Sequence, residues 1–311
     1  TKFLAFASMH NDLKGVIDIQ RAHPYSYCTR LEKRQPACSF ASTCQTAFDL
    51  VWDLVMYQVK GCGYHIAMAW LTVFGIPAMA YVMGVTALLF RMNDRPQNPV
   101  LLVGAGLLTA GIYIFHRTSI TYVEPMQERH RIALKHRMIL RVLAFLLGVL
   151  ATAIFALHHP MATLLVFGAL AGVIAYGRKT ITRPLRTVLY LKPIAVGTAI
   201  TCFAWTLNDF ENGIMSVIAF VLFCTADALC CDLEDCTFDS ATGCTTMATR
   251  LGVHRTWIGA GLLYICAAFL LQVTVGWLFL VSFALPIALR SNKREVIDLR
   301  PVLVLLLLWV L

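Results

Sequence analysis

Three aspartates carry the clearest chemical signal in this sequence. The segment reads Cys231-Asp232-Leu233-Glu234-Asp235-Cys236-Thr237-Phe238-Asp239-Ser240-Ala241-Thr242-Gly243 and directly follows an apolar run. At about 100° per residue, Asp232, Asp235 and Asp239 fall within about a 60° arc of one helix face, while Glu234 points elsewhere. Each aspartate at the centre of a bilayer would cost on the order of 2.5–3.5 kcal/mol. Three on one face also repel each other. A divalent cation relieves both penalties. Hard oxygen ligands with room for water suit Mg²⁺, which in turn favours phosphate oxygens as co-ligands. The plain alternative is an acidic loop solvated outside the membrane.

The elements that position this trio follow from composition. Hydrophobic residues make up 59% of the 311 and charged residues only 14%. Mean hydropathy is +0.70. A soluble domain of this length carries roughly a quarter charged residues, so most of the outer surface must face lipid. Lipid offers no partners to backbone amides, which leaves helices or a closed barrel. The apolar runs are continuous and lack two-residue alternation, which selects helices. The expected fold class is an all-α membrane protein. Several of the eleven cysteines lie in apolar segments, where Cys behaves as a small hydrophobe. No disulfide framework is expected from their pattern.

Residues 1–64 are polar, Cys-containing and mixed in charge, and read as a leader with an interfacial helix over Ala47 to Val59. Residues 65–311 read as the transmembrane domain, with about nine spans near 66–90, 99–115, 139–157, 160–176, 188–206, 214–231, 257–274, 275–289 and 299–311. A full span needs about 20 residues, so the last helix is expected to be cut short at Leu311. Arg and Lys concentrate in alternate connections. Arg117, Arg129, Arg131, Lys135 and Arg137 lie between spans two and three; Arg178, Lys179, Arg183 and Arg186 lie between four and five. Arg250 and Arg255 follow span six, and Arg290, Lys293 and Arg294 follow span eight. The positive-inside bias places these connections, and the acidic trio with them, on the cytoplasmic or equivalent side. The net charge of +9 is thereby assigned to topology rather than to nucleic acid, which is not an expected partner.

The fuller string, Asp232-x-x-Asp235-x-x-x-Asp239-x-x-x-Gly243-x-x-Thr246 ending Leu251-Gly252, resembles the second aspartate-rich motif of the UbiA superfamily of intramembrane prenyltransferases. The resemblance covers about 66 to 311. It implies helices around a central cavity that opens to lipid. It also implies Mg²⁺-dependent transfer of a prenyl group from an isoprenyl diphosphate to a lipophilic acceptor, often aromatic, within the membrane. Asp232, Asp235 and Asp239 would then be the catalytic metal ligands. Tyr176, Lys179 and Lys192, around the connection between spans four and five, would contact the diphosphate. Asp298 opens span nine, where many members carry an Asp. Departure of diphosphate develops negative charge that Mg²⁺ and basic side chains stabilise. The allylic cation left behind needs a dry pocket.

The sequence departs from the family at the first motif, which should end span two. That place reads Tyr113-Ile114-Phe115-His116-Arg117-Thr118-Ser119-Ile120, followed by Glu124 and Arg129-His130-Arg131. His116 stands where the family has its aspartate. Glu124 is the hard ligand left nearby, imidazole being a poor ligand for Mg²⁺. Arg117 could touch a phosphate directly. This departure keeps three alternatives open. The chain could be a catalytically silent structural, lipid-binding or pigment-binding subunit with partners in a membrane complex. It could be a terpene cyclase of the same family. A transporter is the third, though the carboxylates sit at a helix end rather than at the midplane.

Overall fold

The computed structural model describes residues 62–119, 127–177, 191–241, 243–271, 273–288 and 297–310. The N-terminal unit, Thr1–Lys60, lies outside the described residues, and so does the helix expected over Ala47 to Val59. Glu124, Arg178, Lys179, Arg183 and Arg186 also lie outside them.

Among its described residues the second unit is built of helices joined by turns, without strands. The first expected span is two helices, α1 (Cys62–Val73) and α2 (Ile76–Met92). Gly75 breaks it with φ 71, a conformation open to glycine at little steric cost. Pro77 then occupies the first turn of α2, where a missing N–H does no harm. Next come α3 (Pro99–Thr118), the short α4 (Glu128–Lys135), α5 (Arg137–His158), α6 (Pro160–Gly177) and α7 (Leu191–Leu207). After them follow α8 (Ile214–Glu234), the short α9 (Cys236–Ala241) and α10 (Met247–Leu251), α11 (Val253–Leu270), α12 (Val273–Ala288) and α13 (Arg300–Val310). Of expected spans seven and eight, α11 ends at Leu270 and α12 starts at Val273, close to the 274–275 boundary expected from the sequence.

Four helices, α3, α5, α8 and α11, are long and apolar enough to cross a membrane, and α2, the described part of α6, and α7 are shorter apolar helices. On α5, Met138, Ile139, Val142, Phe145, Leu146 and Val149 are exposed. A soluble monomer rarely shows an unbroken apolar face of this kind. Lipid is the solvent that fits it.

Two contacts fix the frame around the aspartates. Gly197 on α7 packs so closely on α8 that an added Cβ would lie 2.7 Å from the Thr225 backbone nitrogen. The two backbones therefore meet, as small residues allow in membrane bundles. On the far side of α8, the Phe223 ring meets Phe279 edge to face at 4.1 Å and Tyr264 at 5.2 Å. This tilted aromatic stack is a favoured geometry, and it ties α8 to α11 and α12.

Candidate functional site

One stripe of α8 builds the wall of a cavity of about 550 Å³. Cys224, Asp227, Ala228, Cys231, Asp232 and Asp235 line it, at helical spacings of three and four that share one face. Helix α8 ends at Glu234, Asp235 caps it, and α9 restarts at Cys236. The single helix face expected for the trio is thus interrupted. The three carboxylates nevertheless reach one cavity.

The tail of the acidic string explains how Asp239 is held there. Its backbone carbonyl accepts from Cys244 N–H at 2.8 Å, across a turn in which Gly243 has φ 72. Thr246 then caps α10 in a reciprocal arrangement with Thr249, which satisfies amides left open at a helix start. Gly252, with φ 85, joins α10 to α11. The Gly, Thr and Gly positions of the string are therefore positioning residues, and the aspartates face the cavity.

The charges are arranged in two sets. Lys192, on the first turn of α7, places Nζ 2.6 Å from Asp232 Oδ1 and 3.3 Å from Asp239 Oδ2. Asp235 turns aside: it accepts from Arg129 Nη2 and, at 3.2 Å, from Gln127 Nε2. Arg129 Nη1 also reaches Glu234 Oε2 at 3.4 Å. Burial pushes the Asp239 carboxyl up to about 6; Lys192 works against this, while Asp235 and Asp232 add to it. A carboxylate withdrawn from water beside other carboxylates favours any arrangement that brings a cation to it.

His116, Arg117, Tyr113 and His130 line the same cavity as the trio. Arg117 is buried, with its guanidinium 5.8 Å from the Tyr113 ring. His130 stacks at 4.8 Å on Phe238, between Asp235 and Asp239 in sequence. Asp298 also lines the cavity, its Oδ1 4.0 Å from Cys231 Sγ. Of the sequence-derived candidates, the structure thus gathers Asp232, Asp235, Asp239, Lys192, Arg117 and His116. Tyr176 lies near the end of α6, and its side chain is outside the described residues, as are Lys179 and Glu124.

Sequence reasoning missed Asp227. Its carboxylate is buried in the middle of α8, accepts from Tyr81 Oη at 2.8 Å and from Tyr264 Oη, and forms an ion pair with Arg300. The signal was present as a lone acid inside an apolar span, a costly and therefore rare placement.

The donor set suits Mg²⁺ as a cation shared with a substrate. Among the described residues no three His, Cys, Asp or Glu side chains converge closely enough to hold a metal ion unaided. Mg²⁺ does not require that. It is held by one or two carboxylates with waters and phosphate oxygens completing its shell. Asp232 and Asp239, already bridged by the Lys192 ammonium, form such a pair.

No protein-family model matches the sequence, and no curated protein matches it. Two solved structures resemble the fold. A UbiA homologue from Archaeoglobus fulgidus, bound to DMAPP and Mg²⁺, is 12% identical with a TM-score of 0.52, over 70% of this chain and 84% of the other. The apo structure of a UbiA homologue from Aeropyrum pernix K1 is 14% identical with a TM-score of 0.53, over 74% of this chain and 96% of the other. At such identities the likeness speaks to fold. With the four apolar helices it makes the chain an integral membrane protein, and the fold it carries is that of the UbiA homologues.

Proposed function

We propose that the protein transfers a prenyl group from an isoprenyl diphosphate to a lipophilic acceptor in the membrane, with Mg²⁺ as cofactor. The observation that carries this reading is the convergence of Asp232, Asp239 and Lys192 on the wall of a largely apolar cavity. The bound UbiA homologue from Archaeoglobus fulgidus, with its DMAPP and Mg²⁺, supports the substrate class. The acidic string beginning at Asp232 supports it independently.

Each residue has a part in that chemistry. Asp232 and Asp239 would hold Mg²⁺, which neutralises charge developing on the diphosphate as it leaves. Lys192 and Arg117 would bind diphosphate oxygens. Asp235, clamped by Arg129 and Gln127, orients the turn between α8 and α9. The apolar wall, including Leu108, Ile112, Leu165, Val196, Ile200 and Phe203, would take the prenyl chain and keep water from the allylic cation. The motif end of the bundle would face the cytoplasm or its equivalent, by the distribution of Arg and Lys.

A second reading has its own observation. His116 and Arg117 stand where a second set of acids would be expected. A protein with this fold that binds an isoprenyl diphosphate or lipid without ionising it fits that site as well. The two separate in one assay. The purified protein is incubated with Mg²⁺ and labelled allylic diphosphates of several chain lengths, with and without membrane lipid extract as a source of acceptor. Diphosphate release that is lost in Asp232→Ala and Asp239→Ala supports transfer. No release with any donor overturns it in favour of a silent binding protein.

A further inference from the structure

The polar cluster around Asp227 is unused by the diphosphate chemistry, yet it belongs to the same cavity. Asp227 and Tyr81 both line the wall, and Asp227 is 2% exposed. It shares the α8 stripe with Asp232, five residues further on, so the two sit about 7.5 Å apart along the helix axis. Asp227 therefore lines the cavity nearer the middle of α8, away from the helix end that carries Asp232.

Its hydrogen bonds set what it can recognise. A carboxylate offers about four lone-pair positions, two on each oxygen. Oδ1 receives the Tyr264 hydroxyl and is also occupied by its ion pair with the Arg300 guanidinium. Oδ2 receives the Tyr81 hydroxyl at 2.8 Å. One position on Oδ2 remains. Tyr81 spends its only proton on Asp227, and Arg300, fully buried, does not line the cavity. Beside Asp227 the cavity wall thus presents an accepting oxygen and no strong donor. A pocket that is apolar apart from a few placed polar groups uses those groups to orient its ligand.

We propose that Asp227 is a specificity-determining residue: its remaining Oδ2 position accepts a hydrogen bond from a hydroxyl group of the lipophilic acceptor and holds that molecule beside the Asp232–Lys192 site. This rests on the prenyl-transfer reading and narrows it. It selects an acceptor carrying an O–H and disfavours the same skeleton with that oxygen methylated. Arg300 and the two tyrosines are positioning residues, which hold the Asp227 carboxylate in place.

The test uses the full chain in lipid nanodiscs and two probes of the same shape, 1-naphthol and 1-methoxynaphthalene. Binding is measured by equilibrium dialysis against empty nanodiscs. Mg²⁺-dependent binding of dimethylallyl diphosphate is measured on the same preparations. The wild type is expected to prefer 1-naphthol at least about tenfold, the effect of one hydrogen bond to a charged acceptor. The double variant Asp227→Asn/Arg300→Gln removes both charges together and keeps neutral partners. Its preference is expected to fall below about threefold, with dimethylallyl diphosphate binding close to that of the wild type. Tyr81→Phe frees a second position on Oδ2 and is expected to tighten 1-naphthol about threefold. An equal affinity of the wild type for both probes overturns the proposal, as does an unchanged preference in the double variant. A weaker or unchanged 1-naphthol affinity in Tyr81→Phe also overturns it. Failure of the wild type to bind dimethylallyl diphosphate would instead overturn the prenyl-transfer reading beneath it.

Discussion

Lys192 Nζ lies 2.6 Å from Asp232 Oδ1, and the contact joins the first turn of α7 to the last turn of α8. The same ammonium reaches Asp239. One cation thus holds two buried carboxylates that would otherwise repel each other. Removal of one partner from a buried pair leaves an uncompensated charge, which costs about 3–5 kcal/mol. Lys192→Met is therefore expected to lower thermal stability clearly. Mg²⁺ should restore more of it in the variant than it adds to the wild type, because the vacated place lies between two hard oxygen ligands. Melting curves with and without Mg²⁺ check this; a variant that Mg²⁺ does not rescue would sink the shared-cation account.

The close approach of α7 and α8 at Gly197 sets where Lys192 stands. Gly197→Leu would drive a side chain into the Thr225 backbone. Overpacking of this kind typically costs about 1–3 kcal/mol, and here it should also weaken diphosphate binding by moving Lys192 from Asp232. Gly148 on α5 provides the control, since an added Cβ meets nothing within 4 Å. Gly148→Ala should be neutral or slightly stabilising. Equal effects of the two substitutions on diphosphate binding would rule out this positioning role.

At the opposite end of the bundle, Arg95 pairs with Asp209 at 2.8 Å and with Glu211, while His159 Nε2 lies 3.0 Å from Asp209 Oδ1. The hydrogen bond from Arg95 holds the Asp209 carboxyl below the usual range; burial opposes this and His159 adds to it. A folded-state value below the unfolded one means that the pair stabilises above the ordinary carboxylate range. That contribution is lost as pH falls through the folded value. The pair is largely exposed, so the effect is small. The melting temperature of Asp209→Asn should fall less than that of the wild type between pH 5 and pH 3, and the two should differ most at neutral pH. Parallel curves at all pH values would contradict it.

His116 lines the same cavity as the trio, at a place where the resemblance expects an acid. His116→Asp adds a hard oxygen ligand. The expected result is tighter Mg²⁺-dependent binding of dimethylallyl diphosphate, on the order of tenfold for one added charge-assisted contact. Titration of the variant at fixed donor concentration measures it. Unchanged affinity would place His116 outside the binding site.

The acidic string was legible because its spacing follows the helix repeat and its tail obeys turn and capping rules: Gly243 at positive φ, Thr246 as a cap. Lys192 was legible from the same resemblance. The break at Asp235 was not, because three-and-four spacing continues straight through it and only the turn to Arg129 diverts it. Asp227 was hidden for another reason. Its partners come from α2, α11 and α13, far apart in sequence, so local pattern shows an isolated acid and nothing of the network around it. The interruption at Gly75 had a local signal, Gly75-Ile76-Pro77, which apolar continuity outweighed when the first span was read as one.

On the proposed reading, Asp232, Asp239 and Lys192 form a diphosphate site completed by Mg²⁺. Isothermal titration of the full chain with dimethylallyl diphosphate, with Mg²⁺ and with EDTA, tests it most directly. Saturable binding that requires Mg²⁺, and that weakens at least about a hundredfold in Asp232→Asn/Asp239→Asn from the loss of two charged ligands, is the predicted result. Binding that is equally strong in EDTA, or unchanged in that variant, would contradict it.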